Sequence, residues 1–286
     1  MTCDVSILIP VYNAREFVAE AIRSALTQTT GNLEVIIVDD ASTDGSGDII
    51  AGFDDPRIRR FRNQTNLGLV GNWNESLRHA KGRFITMLHQ DDVMEPTNVE
   101  RKIEALATGG RAWVASDVLQ IDATGATIHE HWFQHPRALA LGDQSRERQF
   151  NGMYYGYNYL CFPSVFWRRE VTDTVGSFED KGGFCVDIYM WLKFLHRYRM
   201  TYLNERLVRY RWAQNESLKY QPTDWIHDEF LAKREFARDA MLPATKVAAL
   251  KALYGQLFMR RYISCRLRGD ARGAGTMQRG LAALWR

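Results

Sequence analysis

Residues 34–46, EVIIVDDASTDGS, run a short apolar segment directly into two acids. Val35-Ile36-Ile37-Val38 is β-branched throughout and too short for a helix. Gly31-Asn32 breaks the chain before it, so it reads as a fully buried strand. The same arrangement recurs at Phe84-Ile85-Thr86-Met87-Leu88, which ends near Asp91-Asp92. Two buried strands that each end in adjacent carboxylates are the observation on which the reading turns.

Working outward, strand and helix signals alternate. Val5 to Ile9 is a strand closed by Pro10, and Phe17, Val18, Ala21, Ile22, Ala25 and Leu26 have helical spacing. Ser42 or Asp44 caps a helix over about 46–53, and Arg57 to Arg62 is a weaker strand. Val70, Trp73, Leu77 and Ala80 mark a helix face stopped by Gly82. A further helix runs from Pro96 to Gly109-Gly110. Alternation of this kind predicts an α/β fold with a mostly parallel sheet covered on both faces, binding ligands beyond the carboxyl ends of its strands.

The middle is less regular. Ala112 to Ser116 and Phe162 to Trp167 read as strands, and Asp122 to Gly125 as a turn. Residues 132–160 resist assignment. Asp187 opens a helix carrying Ile188, Trp191, Leu192 and Leu195. Two short strands follow at 200–203 and 207–212, and from about Asp224 the chain reads as helical. The expected organisation is a donor-binding half (1–115), an acceptor-binding half (116–220) of the same domain, and a helical C-terminal region (221–286).

Composition fits this. Of 286 residues, 45% are hydrophobic and 25% charged, which excludes a disordered or collagen-like chain. The four cysteines are scattered and form no C-x-x-C, so reduced thiols in a cytoplasmic protein are expected rather than zinc or a disulfide framework. The N-terminus has no signal-peptide pattern, and no stretch is apolar enough to span a bilayer. The net charge of +3 hides an asymmetry: residues 244–286 hold nine Lys and Arg against one acid. That tail is either a solvated helical surface or a contact for anionic lipid at the inner membrane face. No nucleic-acid-binding motif accompanies it.

Adjacent carboxylates repel unless a cation, donors or solvent relieve them. Asp91 and Asp92 therefore suit Mg²⁺ or Mn²⁺. Such an ion takes few protein carboxylates and completes its shell with phosphate oxygens and water, which implies a diphosphate ligand. Asp39 and Asp40 precede Ser42, Thr43 and Asp44. They read either as acceptors for a base N–H or ribose hydroxyl, or as caps of the turn. Asp187 at a helix start is favoured as an anion, as a base or simply as a cap. His129, His131 and His135 suggest a metal cluster at first sight, but no acid besides Glu130 lies at matching spacing, and a structural or solvent role is expected. The aromatics from Met153 to Tyr159 suit either sugar stacking or core packing.

The segments VSILIPVYNA (5–14), EVIIVDDASTDGS (34–46), NLGLVGNWNESLRHAKGRFITMLHQDD (66–92) and DIYMWLKF (187–194) together resemble the inverting family 2 glycosyltransferases of GT-A fold, over roughly residues 3–220. The L-H-Q-D-D form resembles a subgroup found among enzymes of bacterial surface polysaccharides. The resemblance implies that Pro10, Tyr12 and Asn13 form a nucleotide-binding loop, with the Tyr12 ring on the base. It implies that Asp39 and Asp40 contact base and ribose, that Asn66 and Gly68 lie beside the nucleotide, and that Asp91, helped by Asp92, holds the metal. Asp187 would be the catalytic base. The implied reaction moves a sugar from a nucleotide-sugar, UDP- or dTDP-linked, to a hydroxyl of a glycan or lipid-linked saccharide, in one inverting displacement.

Three positions depart from the pattern. His89 replaces the first acid of D-x-D and is expected to face outward or bond the backbone. Trp73 replaces an arginine that would face the phosphates. Ala213 replaces a histidine after Tyr210-Arg211, a loss that Arg211, Trp212 or Lys219 would offset. A lid over the donor is expected around 212–222. A pyrophosphorylase would need a Gly-rich basic loop after the first strand, and Pro10 to Ala14 lack one. A non-catalytic nucleotide-sugar-binding subunit of the same fold is the alternative reading.

Overall fold

The computed structural model describes residues 3–107, 110–132, 134–142, 144–212 and 221–285. The chain divides into two compact units. The first comprises Met1–Gln149, Tyr159–Phe178 and Arg197–Asn215, and the second Phe150–Asn158, Glu179–His196 and Glu216–Arg286.

The first unit holds the sheet: β1 (Val5–Val11), β2 (Leu33–Asp39), β3 (Ile58–Arg62), β4 (Phe84–Met87), β5 (Val93–Met94), β6 (Trp113–Ile121), β7 (Thr127–His129), β8 (Phe166–Arg168) and β9 (Met200–Arg211). Strand order is β3-β2-β1-β4-β8-β6-β9-β5, with β7 on β6. The β3-β2-β1-β4 half is parallel, as the alternating pattern requires. Beyond it the sheet is mixed: β8 runs antiparallel to β4 and β6, while β9 runs parallel to β6.

Both faces of the parallel half are covered. On one, Val5, Ile7, Ile9, Val35 and Ile37 pack with Val18, Ala21, Ile22 and Ala25 of α1 (Val18–Leu26), Ile50 of α2 (Ser46–Ala51), and Val99 and Leu106 of α4 (Asn98–Ala107). Each such side chain contributes about 1.5–3 kcal/mol on burial. On the other face lies α3 (Gly68–His79), whose Asn72 donates to the Val11 and Val38 carbonyls at 3.4 and 3.2 Å. Gly82 carries the chain from α3 into β4 so close to β1 that a Cβ there would sit 2.5 Å from the Ser6 nitrogen.

Pro10 lies within β1 rather than closing it. The Leu8 carbonyl faces β4, and by the two-residue alternation Pro10 faces the same side, past the last β4 pair. Its missing N–H therefore interrupts no ladder. Phe162 to Trp167 is not one strand. A single 3-10 turn (Phe162–Ser164) contains Pro163, which cannot donate to a ladder, and only β8 follows. The two strands expected at 200–203 and 207–212 are one, β9, whose register against β6 shifts on both sides of Asp117. The unassigned 132–160 region forms α5 (His135–Gly142) and α6 (Arg146–Tyr155), and α7 (Arg169–Val175) follows β8.

The second unit is helical: α8 (Val186–Arg197), α9 (Pro222–Asp239), α10 (Ala244–Leu267) and α11 (Ala271–Ala283). Eight of the twelve α8 residues are buried, the mark of a helix enclosed by others. A capping box between Gln221 and Asp224, with Pro222 in the first turn, starts α9. Phe230, Tyr254 and Phe258 stack between α9 and α10.

Candidate active site

Three loops leave the carboxyl ends of neighbouring parallel strands: 12–17 after β1, 40–46 after β2 and 88–92 after β4. They are tied together through side chains. Asn13 N and Ala14 N donate to the hydroxyls of Ser42 (3.0 Å) and Ser46 (2.8 Å). Arg15 N donates to Asp44 (2.8 Å), and Thr43 N to the Asn13 side chain (2.9 Å). Gln90 brackets the Tyr12 peptide, accepting from its N–H at 2.7 Å and donating to its carbonyl at 3.2 Å. Asn13 and Ala41 hold left-handed backbone, φ 49° and 59°, an uncommon conformation that costs ~1–2 kcal/mol for an alanine and that these bonds sustain. The result is a cavity of about 650 Å³ lined by Asn13, Ala14, Arg15, Glu16, Phe17, Asp44, Gln90 and Asp91. Tyr12, 46% exposed, stands on the same loop.

The two acid pairs differ. Asp39 and Asp40 are buried and fully engaged. Asp39 accepts from Ser42 N (2.9 Å) and from Arg62. Asp40 accepts from Asn63 (2.7 Å), Leu67 N (2.9 Å) and Gly68 N (3.0 Å). Gly68 N also donates to the Asn66 side chain at 2.8 Å, and its φ of 75° explains the glycine. These are the bonds that the cap reading of Asp40 calls for. Neither carboxylate lines the cavity.

Asp91 does line it, and none of the hydrogen bonds of the described residues ends on its carboxylate. Burial pushes its pKa up to about 6, against the nearby Arg211 charge. Asp92 is fully buried beneath the rim. Its Oδ1 accepts from Arg211 N at 2.8 Å, and burial together with the Asp91 charge pushes its carboxyl well up. Asp92 thus anchors β9 behind Asp91. A desolvated carboxylate with no donor, backed by a second one, fits a divalent cation that a diphosphate and water would also ligate.

Arg211 is only 1% exposed in its side chain. It donates to the carbonyls of Asp91, Asp122 and Ala123 and to Glu20, and its guanidinium lies 4.6 Å from the Phe17 ring centre. It braces the framework from inside, so the expectation that it reaches the phosphates is corrected. Ala213, Lys219 and nearly all of the expected lid lie outside the described residues. His89 neither faces outward nor bonds the backbone. Its ring stacks against Trp73 (5.7 Å) and Phe162 (4.9 Å), which also touch each other (4.4 Å), its Nδ1 lies 3.6 Å from Asp92 Oδ2, and burial holds its pKa down to about 4, so it is neutral. The two unusual residues of the motif, Trp73 and His89, are thus packing partners.

In the second unit, Asp187 is the second residue of α8 and accepts from Asn158 at 2.7 Å. The helix start favours its anion, yet burial outweighs this and lifts its pKa to about 6, with the Glu229 charge adding. Glu229 accepts from Asn158 N (3.0 Å) and pairs with buried Lys233 (2.7 Å), which reaches the Tyr254 hydroxyl (3.0 Å). Met153 and Tyr154, by contrast, are core residues, as is Tyr159 in the first unit, while Tyr157 is 41% exposed. Asn158, Gln90 and Arg15 carry no site expectation from the sequence, and Asp44 is expected there only as a helix cap. Gln90 adjoins the acid pair and Asp44 sits in the capping turn, but Asn158 falls in the stretch with no periodic signal.

The model of the family Glycosyl transferase family 2 matches residues 6–176. A putative teichuronic acid biosynthesis glycosyltransferase, TuaG of Bacillus subtilis, is 36% identical over 214 residues, covering 74% of this chain and 80% of that protein. Three other curated relatives match over a smaller share of their length, 52%, 34% and 41%. Among solved structures, S. aureus TarS 1–349 in complex with UDP-GlcNAc superposes with a TM-score of 0.72 at 16% identity, covering 98% of this chain and 80% of that one. Mannosyltransferase PcManGT of Pyrobaculum calidifontis, in complex with GDP-Man and Mn²⁺, gives 0.61 at 15% identity, with coverage of 99% and 80%. These two carry the fold.

Proposed function

The chain belongs to glycosyl transferase family 2, and from that premise we propose that it transfers a sugar from a nucleotide-diphosphate donor to a hydroxyl of a bacterial surface polysaccharide or its lipid-linked precursor. The observation that carries this reading is the 650 Å³ cavity at the carboxyl ends of β1, β2 and β4, with the unbonded Asp91 carboxylate on its wall. Its size lies within the ~300–1,000 Å³ typical of small-molecule sites.

In this reading the Tyr12 ring stacks on the base. Asn13 and Gln90 shape the wall beside it, and Arg15 faces the donor's negative charge. Asp39 and Asp40 act at one remove, holding the 42–46 and 66–68 loops beside the nucleotide, and Pro10 sets the exit of β1. Asp91 holds Mg²⁺ or Mn²⁺, with Asp92 fixing the rim behind it. When bound, the ion supplies charge neutralisation for the leaving diphosphate. Asp187 is the base: a carboxylate whose pKa is lifted towards neutrality takes a proton more readily than an ordinary one. Proton removal from the acceptor as its oxygen attacks the anomeric carbon gives a single inverting displacement. The packed His89 distinguishes the L-H-Q-D-D form and leaves Asp91 as the ligand from that motif.

The test is release of free nucleoside diphosphate from a panel that includes UDP-, dTDP- and GDP-sugars, with Mn²⁺ and after chelation. Metal-dependent release from one donor is expected. Tight binding of a donor with no release in the presence of any acceptor would instead make the chain a non-catalytic nucleotide-sugar-binding subunit.

No helix among the described residues is long and apolar enough to cross a membrane. On α10 the exposed Leu253, Met259, Ile263 and Leu267 lie on a helix that also exposes Arg260, Arg261 and Arg266. This mixture suits peripheral contact with an anionic bilayer. Replacing these three arginines by glutamate in the full chain is expected to abolish sedimentation with phosphatidylglycerol vesicles, and unchanged sedimentation would remove the membrane contact.

A further inference from the structure

We propose that Asp117, His131 and His135 form a second divalent-metal site, of zinc type, separate from the nucleotide cavity. The three residues offer ligand atoms that all lie within 4.8 Å of one another. The Nδ1 atoms of His131 and His135 converge on one oxygen of Asp117, at 2.5 and 3.2 Å. The two rings are stacked, with centroids 4.5 Å apart and planes 18° from parallel.

The chain builds this cluster from distant pieces. Asp117 lies where β6 changes register with β9, pairing with Arg206 while its neighbour Ser116 pairs with Leu203. Such an irregularity re-aims a side chain out of the regular alternation. The Asp117 side chain is 1% exposed, and its other oxygen accepts from Trp132 N at 3.1 Å, which fixes the carboxylate plane. The Tyr202 hydroxyl lies 3.2 Å from His135 Nδ1. Burial, with the Asp117 charge adding, pushes the Tyr202 phenol far up, so it remains a neutral neighbour. Glu130, the acid nearest in sequence, takes no part and pairs with Arg206. His129 stands apart on exposed β7.

Two imidazoles and a carboxylate are a zinc-type donor set. Bond lengths of ~2.0–2.1 Å at tetrahedral angles place donor atoms ~3.3 Å apart, so closure on an ion needs the His–Asp117 pairs at 2.5 and 3.2 Å to open by less than ~1 Å and the two imidazole nitrogens, within 4.8 Å of each other, to settle at the same spacing. The His131 side chain is 51% exposed, which leaves the fourth position to water. Bound there, the ion would clip the segment from β7 to α5 onto β6 and β9.

The test loads the chelator-stripped full-length protein with ZnCl₂ and, separately, with CoCl₂. Wild type is expected to retain one tightly bound Zn²⁺ per chain after dialysis, to gain the visible absorption of tetrahedral Co²⁺, and to melt several degrees higher with zinc. His131→Gln, a change at a half-exposed position, should lose all three responses, while Asp91→Asn should keep them. Absence of retained zinc in a folded wild type, or an equal response from His131→Gln and a His131→Gln/His135→Gln double variant to that of wild type, overturns the site. Neither result bears on Asp91, so failure here is distinct from failure of the glycosyltransferase reading.

Discussion

Two strands of one sheet lead into the same dipeptide, β2 directly and β4 four residues after Met87, and the two Asp-Asp pairs meet opposite fates. Around Asp39 and Asp40 the fold supplies donors: two backbone N–H groups from 67–68, one from Ser42, the Asn63 amide and the Arg62 guanidinium. Among the described residues none donates to the Asp91 carboxylate, and Asp92 takes one backbone N–H from Arg211 with His89 Nδ1 3.6 Å from its other oxygen. A carboxylate that accepts several N–H bonds is a structural anchor. One that is desolvated without them is raised in pKa and ready for a cation or a proton. The difference lies in the neighbours, not in the dipeptide.

The comparison breaks most plainly at the level of turnover. Asp91→Asn is expected to lower sugar transfer by ~10²–10³-fold, the scale of losing one charge-stabilising group. Asp187→Asn should fall by ~10²–10⁴-fold while still binding donor in a fluorescence titration, as loss of a general base does. Full turnover in either variant would reverse its assignment. Asp187, its pKa raised to about 6 by burial, works ionised as the base, so donor turnover should fall as the pH drops through about 6.

Stability sharpens the same contrast with the sign inverted. Asp40→Asn puts an amide N–H₂ against donors and should cost about 2–3 kcal/mol in urea unfolding. Lys102 repeats the Asp91 situation with a base: it is fully buried, its Nζ has no hydrogen-bond partner, and its pKa is pushed down to about 7. Between pH 7 and the unfolded value near 10.5, the unfolded chain holds the extra proton, so stability rises with pH across that window. Lys102→Met should therefore stabilise by about 2–4 kcal/mol at pH 6, with the gain shrinking towards pH 10. Asp91→Asn should stabilise too, by about 1–2 kcal/mol at pH 8. The folded Asp91 carboxyl binds its proton more tightly than the unfolded one, so that gain disappears as the pH falls from about 6 to below 3.8, the ordinary value for an aspartate. Equal effects for Asp40→Asn and Asp91→Asn would erase the distinction between the pairs.

The sequence by itself placed β1, β2 and β4, the helices between them, the loops that carry the cavity and the helix that opens at Asp187. These follow from short-range rules, since apolar period, β-branching and the placement of Gly and Pro act within a few residues. Its errors share one cause. Arg211 is one of three residues, with Trp212 and Lys219, that the sequence offers in place of the histidine missing at Ala213, but its partners Glu20, Asp91 and Asp122 come from elsewhere in the chain. For His131 and His135 the sequence offers only Glu130 at matching spacing, but the acid that meets them is Asp117, 14 and 18 positions away. Only the tertiary structure decided which carboxylates received donors and which were left bare, because hydrogen-bond partners and desolvation are set by residues tens to more than a hundred positions away. The local pattern fixes where a side chain stands on its own element and carries no record of what folds against it.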